Sequence, residues 1–376
     1  MIWSMIGAAS VAIWLMLLFG RDAFWLSDER DTRDVPAEPI DWPKVVAVVP
    51  ARDEADVIAG SISSLVAQDY PGFFRIIVVD DSSTDGTGQI VRKLGSTRVE
   101  IATGRPLAAG WTGKLWANAQ GIEQAGPSPR YLWLTDADIE HTPDTLRTLV
   151  SRAEAGDLSL VSLMAKLRCE TLAERALIPA FVFFFQMLYP FARVNRSNGP
   201  GAAAGGCMLV RRDALEAAGG IDTIKNALID DCALGTLLKQ HGRIWLGLTE
   251  RSTSLRRYDS FGAVAAMISR SAYAQLRYLP LLLLATIAGL ALVYVAPPLL
   301  AVLVPGFARF EGAFAWVLMA LAFQPMLEFY QRSPLWGLAL PAIAAFYAAC
   351  TLLSGWQHIR GRGGMWKGRV QSAAGR

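Results

Sequence analysis

The chain is poor in the residues that build metal clusters, nucleophilic triads and disulfide frameworks. It has four cysteines and three histidines in 376 residues. Cys169, Cys207, Cys232 and Cys350 form no pair with metal-ligand spacing and no framework of bridges, which fits a reducing compartment. His141, His241 and His358 are scattered; no zinc motif and no Ser/His/Asp grouping is present, and each reads as a plain surface or core residue. Charge is scarce as well, at 18% of residues, against about 25% in an ordinary soluble domain. The formal net charge of +3 is too small to point to a nucleic-acid partner, and none is expected.

What the chain has in excess is apolar: 53% of residues are hydrophobic. The excess sits at the two ends. Residues 2–19 form one apolar run, long enough to cross the hydrocarbon core as a helix. No Lys or Arg precedes it and no small-residue cleavage site follows, so it reads as a permanent anchor. Candidate spans recur at 279–304, 314–327 and 335–353, interrupted by Pro297, Pro298, Pro325 and Pro341. Arg360, Arg362, Lys367, Arg369 and Arg376 follow with no acid among them. They read as a cytoplasmic flank, a contact with anionic lipid, or a solvated tail. One N-terminal and three C-terminal spans would set the middle of the chain and this tail on opposite faces, so either one segment is re-entrant or interfacial, or the tail breaks the positive-inside rule. The segment 176–191 is apolar and aromatic but short for a span; it reads as an interfacial or a buried helix. The expected organisation is an anchor at 1–20, a linker at 21–43, a globular domain with interfacial helices at 44–278, two or three membrane segments at 279–355 and a basic tail at 356–376.

Between the apolar ends, strand-like runs at 45–49, 75–79, 99–102, 131–135 and 158–163 alternate with helix-like runs at 54–67, 84–94, 113–124 and 143–155. Such βαβα order predicts an α/β fold with a parallel, doubly wound sheet and its ligand crevice at the strand C-termini.

The chemistry-bearing residues follow those strands. Asp80 and Asp81 end one apolar run and precede Ser82, Ser83, Thr84, Asp85 and Gly86. Carboxylates there can accept hydrogen bonds from ribose hydroxyls or a base N–H, while Ser83 and Thr84 read as helix caps. Asp136 and Asp138 end another run, where Asp-x-Asp can bring hard oxygen ligands to Mg2+ or Mn2+, the shell being completed by waters and phosphate. Gly110-Trp111-Thr112-Gly113-Lys114 lacks the Ser/Thr of a P-loop, yet a lysine at a helix start can meet a diphosphate; it can equally face solvent. Asp230 and Asp231 open a predicted helix, as caps or with one of them as a general base. The stretch 199–206 (GPGAAAGG) lacks side-chain bulk, so a substrate or another backbone can come close; a flexible turn is the alternative.

In this order the motifs resemble the family 2 glycosyltransferases with a GT-A fold: Pro50-Ala51-Arg52-Asp53-Glu54, VVDDSSTDGT, Gly113-Lys114 with Asn118, TDAD, the Gly-rich stretch and Asp230-Asp231. The resemblance runs from about residue 45 to 278. GWTGKLWA, the run Gln275-Leu276-Arg277-Tyr278 and the closing Trp366-Lys367-Gly368-Arg369 make the hopanoid-associated membrane glycosyltransferases of bacteria the nearest likeness, and lipid glycosyltransferases of the ceramide glucosyltransferase type share the plan. The resemblance implies a nucleotide-sugar donor contacted by Glu54 and Asp80, with Asp81 nearby. Pro50, Arg52, Lys114 and Arg277 join them on the donor side. It implies Mg2+ or Mn2+ on Asp136 and Asp138. It implies Asp231 as the base, with Asp230 where relatives often carry Glu. Gly205, Gly206 and Tyr278 fall on the acceptor side. The chain departs from the family in Asp53, where relatives often have Asn, and in Gln275–Tyr278, one residue shorter than (Gln/Arg)-x-x-Arg-Trp, which argues against a processive polysaccharide synthase. The expectation is an inverting hexosyltransferase at the bacterial inner membrane. Its domain would be cytoplasmic, and it would move sugar from a UDP-sugar to a membrane lipid. The alternatives are a polyprenyl-phosphate acceptor or a non-catalytic nucleotide-binding protein.

Overall fold

Eight strands carry the middle of the chain: β1 (Val45–Ala51), β2 (Phe74–Asp80), β3 (Val99–Thr103), β4 (Tyr131–Thr135), β5 (Ile139–His141), β6 (Leu158–Lys166), β7 (Cys207–Arg211) and β8 (Arg243–Ser254). They belong to a computed structural model that describes residues 1–366 and 369–370; Lys367, Gly368, Arg376 and the side chains of Trp366 and Arg369, which the sequence placed in the basic tail and its closing motif, lie outside the described residues. The chain divides into two compact units. One holds Glu29–Arg168 and Arg193–Arg257, the other Met1–Asp28, Cys169–Ala192 and Tyr258–Met365.

In the first unit the strands form one sheet in the order β3-β2-β1-β4-β7-β6-β8-β5. β1 to β4 obey the expected parallel winding. Every residue of β1 is buried, as a strand covered on both faces requires. Beyond β4 the sheet is mixed. β7 runs antiparallel to both β4 and β6, and β5 antiparallel to β8. The reversal matters for the site. Ala51 pairs with Asp80, and Val48 with Leu134, so the loops after β1, β2 and β4 emerge on one edge. Thr135 pairs with Cys207, so β7 begins at that same edge and the Gly-rich segment just before it arrives there too.

Two expected helices begin late, at Ile58 and Thr87. The residues before them are bound to each other instead. Thr84 N donates to Asp53 Oδ1 (2.7 Å), Ala55 N to Asp85 Oδ2 (2.9 Å), and Glu54 N to Thr87 Oγ1 (2.8 Å). Side chains that could cap a helix here satisfy a neighbouring loop.

The second unit contains four helices long and apolar enough to cross a membrane: Ile2–Gly20, Pro280–Leu303, Phe307–Phe329 and Pro334–Ile359. Pro297 has no N–H for the Val293 carbonyl. Here Trp14 Nε1 donates to that carbonyl at 2.9 Å, beside a one-turn π-helical widening at Ala291–Val295. The segment expected as an interfacial or buried helix is Leu172–Leu188, and its inner face is buried. Phe183 packs edge-on against Phe323, and Phe184 against Tyr347. Its N-terminus is closed by a capping box in which Thr171 and Glu174 satisfy each other's backbone N–H groups.

Candidate active site

The donor edge starts from the interlocked loops after β1 and β2. Asp80 ends β2, and its Oδ1 accepts from Ser83 N (3.0 Å). Asp81 is 1% exposed, and Arg52 Nη1 donates to its carbonyl (2.5 Å) and lies 3.7 Å from its Oδ2. Pro50 is buried inside β1, opposite Val79. Asp53 takes a left-handed backbone (φ 49°), which turns Glu54 back over the strand ends.

Lys114 stands in the first turn of the helix Gly113–Ala125. Its Nζ lies 2.8 Å from Asp136 Oδ1 and 3.1 Å from Asp230 Oδ2, so it ties the loop after β4 to the helix Asp230–Lys239. Asp231 follows. Its Oδ2 accepts from Gly205 N (2.9 Å) and its Oδ1 from Cys232 N (2.7 Å). Gly205 also borders the charges. A Cβ there would sit 3.2 Å from Lys114 Nζ and 3.3 Å from Asp231 Oδ2. Gly206 instead lies against Ala165 and Ile139. Farther back, the Gly-rich segment docks on the Asp230–Lys239 helix backbone to backbone. A Cβ on Gly201 would come within 2.4 Å of Thr236 Cα, and one on Gly235 within 2.5 Å of the Ala202 carbonyl carbon.

A residue the sequence reading missed completes the edge. Arg256 follows β8, and its Nε donates to Asp138 Oδ2 (2.6 Å) while its Nη2 donates to both oxygens of Glu54 (2.7 and 2.9 Å). The one local signal was the Arg256-Arg257 pair itself. A continuous line of contacts thus runs from the Asp80 loop through Asp53–Glu54, Arg256, Asp138, Asp136, Lys114 and Asp230 to Asp231 and Gly205. Arg277 and Tyr278 belong to the other unit. There both take left-handed backbone (φ 54° and 57°), and the Tyr278 ring stacks on His358 at 4.4 Å.

Electrostatics sort these groups. Burial works against the charge of Lys114, but Asp136 and Asp230 outweigh it and hold its pKa above the ordinary lysine value. Burial pushes the Asp136 carboxyl up against the pull of Lys114. Burial, then the charge of Asp230, push Asp231 up to about 6. A carboxylate near that value can take a proton at neutral pH and return it. His141, in contrast, is buried and pushed down to about 3, between Thr135 and Ser252 hydroxyls at 2.9 Å each, a core residue as expected.

Asp136 and Asp138 offer hard carboxylate oxygens. Lys114 takes one oxygen of Asp136 and Arg256 one of Asp138; the other oxygen of each accepts no hydrogen bond among the described residues. Among the described residues no group of three or more His, Cys, Asp or Glu side chains could hold a metal ion. The pair therefore suits an ion that keeps waters and takes phosphate oxygens to fill its shell, the habit of Mg2+ and Mn2+. Five carboxylates (Glu54, Asp136, Asp138, Asp230 and Asp231) face two cations, an excess of negative charge that favours such an ion.

Residues 46–219 match the profile described as Glycosyl transferase family 2. These residues form a family 2 glycosyltransferase domain. Its fold is GT-A: a mannosyltransferase from Pyrobaculum calidifontis, solved with GDP-Man and Mn2+, superposes with a TM-score of 0.57 at 20% identity over 94% of this chain and 99% of that one. Curated relatives include the succinoglycan biosynthesis protein ExoO of Rhizobium meliloti, 34% identical over 36% of this chain and 40% of its own length. The 4,4'-diaponeurosporenoate glycosyltransferase of Staphylococcus aureus is 24% identical over 61% of this chain and 58% of its own length. The chain thus spans about half the length of the curated relatives it matches. Asp53, Glu54, Asp80, Lys114, Asp136, Asp138 and Gly205 fall within the matched residues, while Asp230, Asp231 and Arg256 lie beyond them.

Proposed function

We propose that the protein is an inverting glycosyltransferase that moves a sugar from a nucleotide-sugar, a UDP-sugar, to a hydroxyl of a membrane lipid, a hopanoid among the candidates. The observation that carries this reading is the placement of Lys114 between Asp136 and Asp230 with Asp231 next in line. It puts a fixed cation, two candidate metal ligands and a buried carboxylate on one edge.

In this reading Glu54 and Asp80, with Asp81, Arg52 and Pro50 behind them, form the nucleoside end of the cleft, and Lys114 holds the diphosphate. Asp136 and Asp138 would hold Mg2+ or Mn2+, which would offset the negative charge of the departing diphosphate. Asp231 takes the proton of the acceptor hydroxyl as that oxygen attacks the anomeric carbon from the face opposite the leaving group. One displacement inverts the centre. Lys114, already fixed in place, stabilises the charge that grows on the leaving oxygen without having to reorganise. Gly205 leaves space beside Asp231, which suits an approaching acceptor, with Gly206 next to it.

A lipid acceptor is supported by the four apolar helices and by a relative whose name gives 4,4'-diaponeurosporenoate as its substrate. The same helices support a multi-pass membrane protein; the bacterial inner membrane and a cytoplasmic domain complete the proposal. The test is to incubate membranes holding the protein with labelled nucleotide-sugars and lipid extract, with and without Mn2+. A labelled glycolipid dependent on the protein is expected; label passing only to water, or to nothing, would refute the proposal.

A further inference from the structure

Arg256 does something that the donor-site reading leaves unexplained: a residue without a part in that reading holds two that have one. Its placement is not casual. Ser254 pairs with Ile139 at the end of β8, Leu255 N donates to the Asp138 carbonyl (2.7 Å), and the chain at Arg256 is therefore held beside Asp138 by backbone. The side chain is 35% exposed, while those of Glu54 and Asp138 are 11% and 13% exposed. A guanidinium is planar and presents its donors in a fixed fork. Here Nη2 engages the Glu54 carboxylate and Nε engages Asp138, so one cation neutralises two acids that would otherwise face each other across the cleft.

Asp138 Oδ2 accepts from Nε at 2.6 Å, and a divalent ion held through the other oxygen of the same carboxylate would draw on the same single charge. A guanidinium and a divalent ion on one carboxylate repel each other, and the carboxylate has one negative charge to share. We propose that Arg256 is a resident cation of the donor site that competes with the divalent ion for Asp138. An ion on Asp138 would weaken the bond from Nε. Arg256 would stay at the site through its two bonds to Glu54, with its charge available to an anionic donor. The acids are thus never left uncompensated, and the ion is held weakly until the diphosphate supplies the rest of its shell. This proposal rests on the reading of Asp136 and Asp138 as the metal pair.

The test is Mn2+ binding to the full-length protein in detergent, without donor, followed by electron paramagnetic resonance titration. Wild type is compared with Arg256→Gln, Arg256→Lys and Asp138→Asn, with circular dichroism to verify folding. Arg256→Gln is expected to bind Mn2+ about three- to ten-fold tighter than wild type, the worth of a partly exposed charge-assisted pair. Arg256→Lys keeps the charge without the fork and is expected to gain less; it carries the test if the glutamine variant does not fold. Asp138→Asn is expected to bind more weakly than wild type. Unchanged or weaker binding by both Arg256 variants, while Asp138→Asn still loses affinity, overturns the competition and leaves the metal pair standing. No Mn2+ binding by wild type overturns both.

Discussion

Replacing Asp231 by asparagine removes a proton acceptor while keeping nearly the same shape. The carboxylate accepts from two backbone N–H groups, those of Gly205 and Cys232. An asparagine amide has a single acceptor oxygen, so one of these N–H groups would face another donor. That mismatch costs about 1–3 kcal/mol of stability. It is offset in part by removing a negative charge beside Asp230, which pushes the Asp231 pKa upward in the wild type. The domain should therefore still fold. Lys114 pairs with Asp136 and Asp230, so the side of the cleft that would hold the diphosphate is left as it was. Donor affinity is expected to change by less than about three-fold, since no contact assigned to the donor is removed. Turnover is expected to fall by about 100- to 10,000-fold, the usual contribution of a positioned general base. The assay pairs transfer of labelled sugar to lipid extract with calorimetric binding of the nucleotide-sugar. Turnover within about ten-fold of wild type would refute a base role. It would point to an acceptor that arrives already anionic, such as a polyprenyl phosphate. Loss of donor binding in step with turnover would put Asp231 in the donor site instead.

The same carboxyl sets a pH dependence. Its folded pKa lies above the ordinary value, at about 6, so the folded state holds this proton more tightly than the unfolded chain. The stability it contributes is present at low pH and is lost as pH rises towards 6. Activity runs the other way, because the base must be unprotonated: kcat/KM should climb with pH and level off above about 6, and a profile flat through that region would count against Asp231. Lys114→Met strips the cation from Asp136 and Asp230 and should lower stability by about 1–3 kcal/mol without metal. Mn2+ should then raise the Tm of the variant more than that of wild type, and equal shifts would mean that Lys114 and the ion do not share these carboxylates. Gly235→Ala drives a methyl to within 2.5 Å of the Ala202 carbonyl carbon, which is backbone and cannot swing away. A loss of about 1–3 kcal/mol or more in urea unfolding is expected, with a fall in kcat as the helix bearing Asp231 shifts; a stable, fully active variant would contradict the close docking.

The donor half of the site was legible because each acid follows a strand that announces itself. Asp80 ends β2, Asp136 comes directly after β4, and the two strands carry the apolar runs 76–79 and 131–134 that a covered sheet requires. The other half was hidden for a physical reason. β8 buries polar residues: Thr249 Oγ1 donates to Asp31 Oδ2 at 2.6 Å and Ser252 Oγ meets His141 Nδ1 at 2.9 Å. Hydrogen bonds between distant segments stand in for apolar burial there, so beyond the apolar run at 244–248 neither a period of two nor an apolar run marks the second half of the strand, which leads to Arg256. With β8 unseen, nothing placed Arg256 beside Asp138, 118 positions away. β5, at three residues, is too short to carry a pattern of its own.

The stretch 199–206 shows how one compositional signal can conceal two causes. Glycine permits a backbone or a substrate to come close, and the sequence left the choice open. At Gly201 the close neighbour is backbone: Thr236 Cα lies where a Cβ would reach 2.4 Å, and Thr236 Oγ1 donates to the Gly201 carbonyl at 3.1 Å. At Gly205 the close neighbours are the Lys114 ammonium and the Asp231 carboxylate. The first contact fixes the helix; the second leaves space beside the acid that the helix carries. Ala204 joins them, since its N–H and carbonyl both bond to the Ser162 hydroxyl on β6. The segment therefore cannot move Gly205 without breaking from the sheet. A candidate base held this way from two sides keeps its geometry while its own charge is unfavourable, and that combination lets a carboxyl stay near a pKa of 6 without swinging out to solvent.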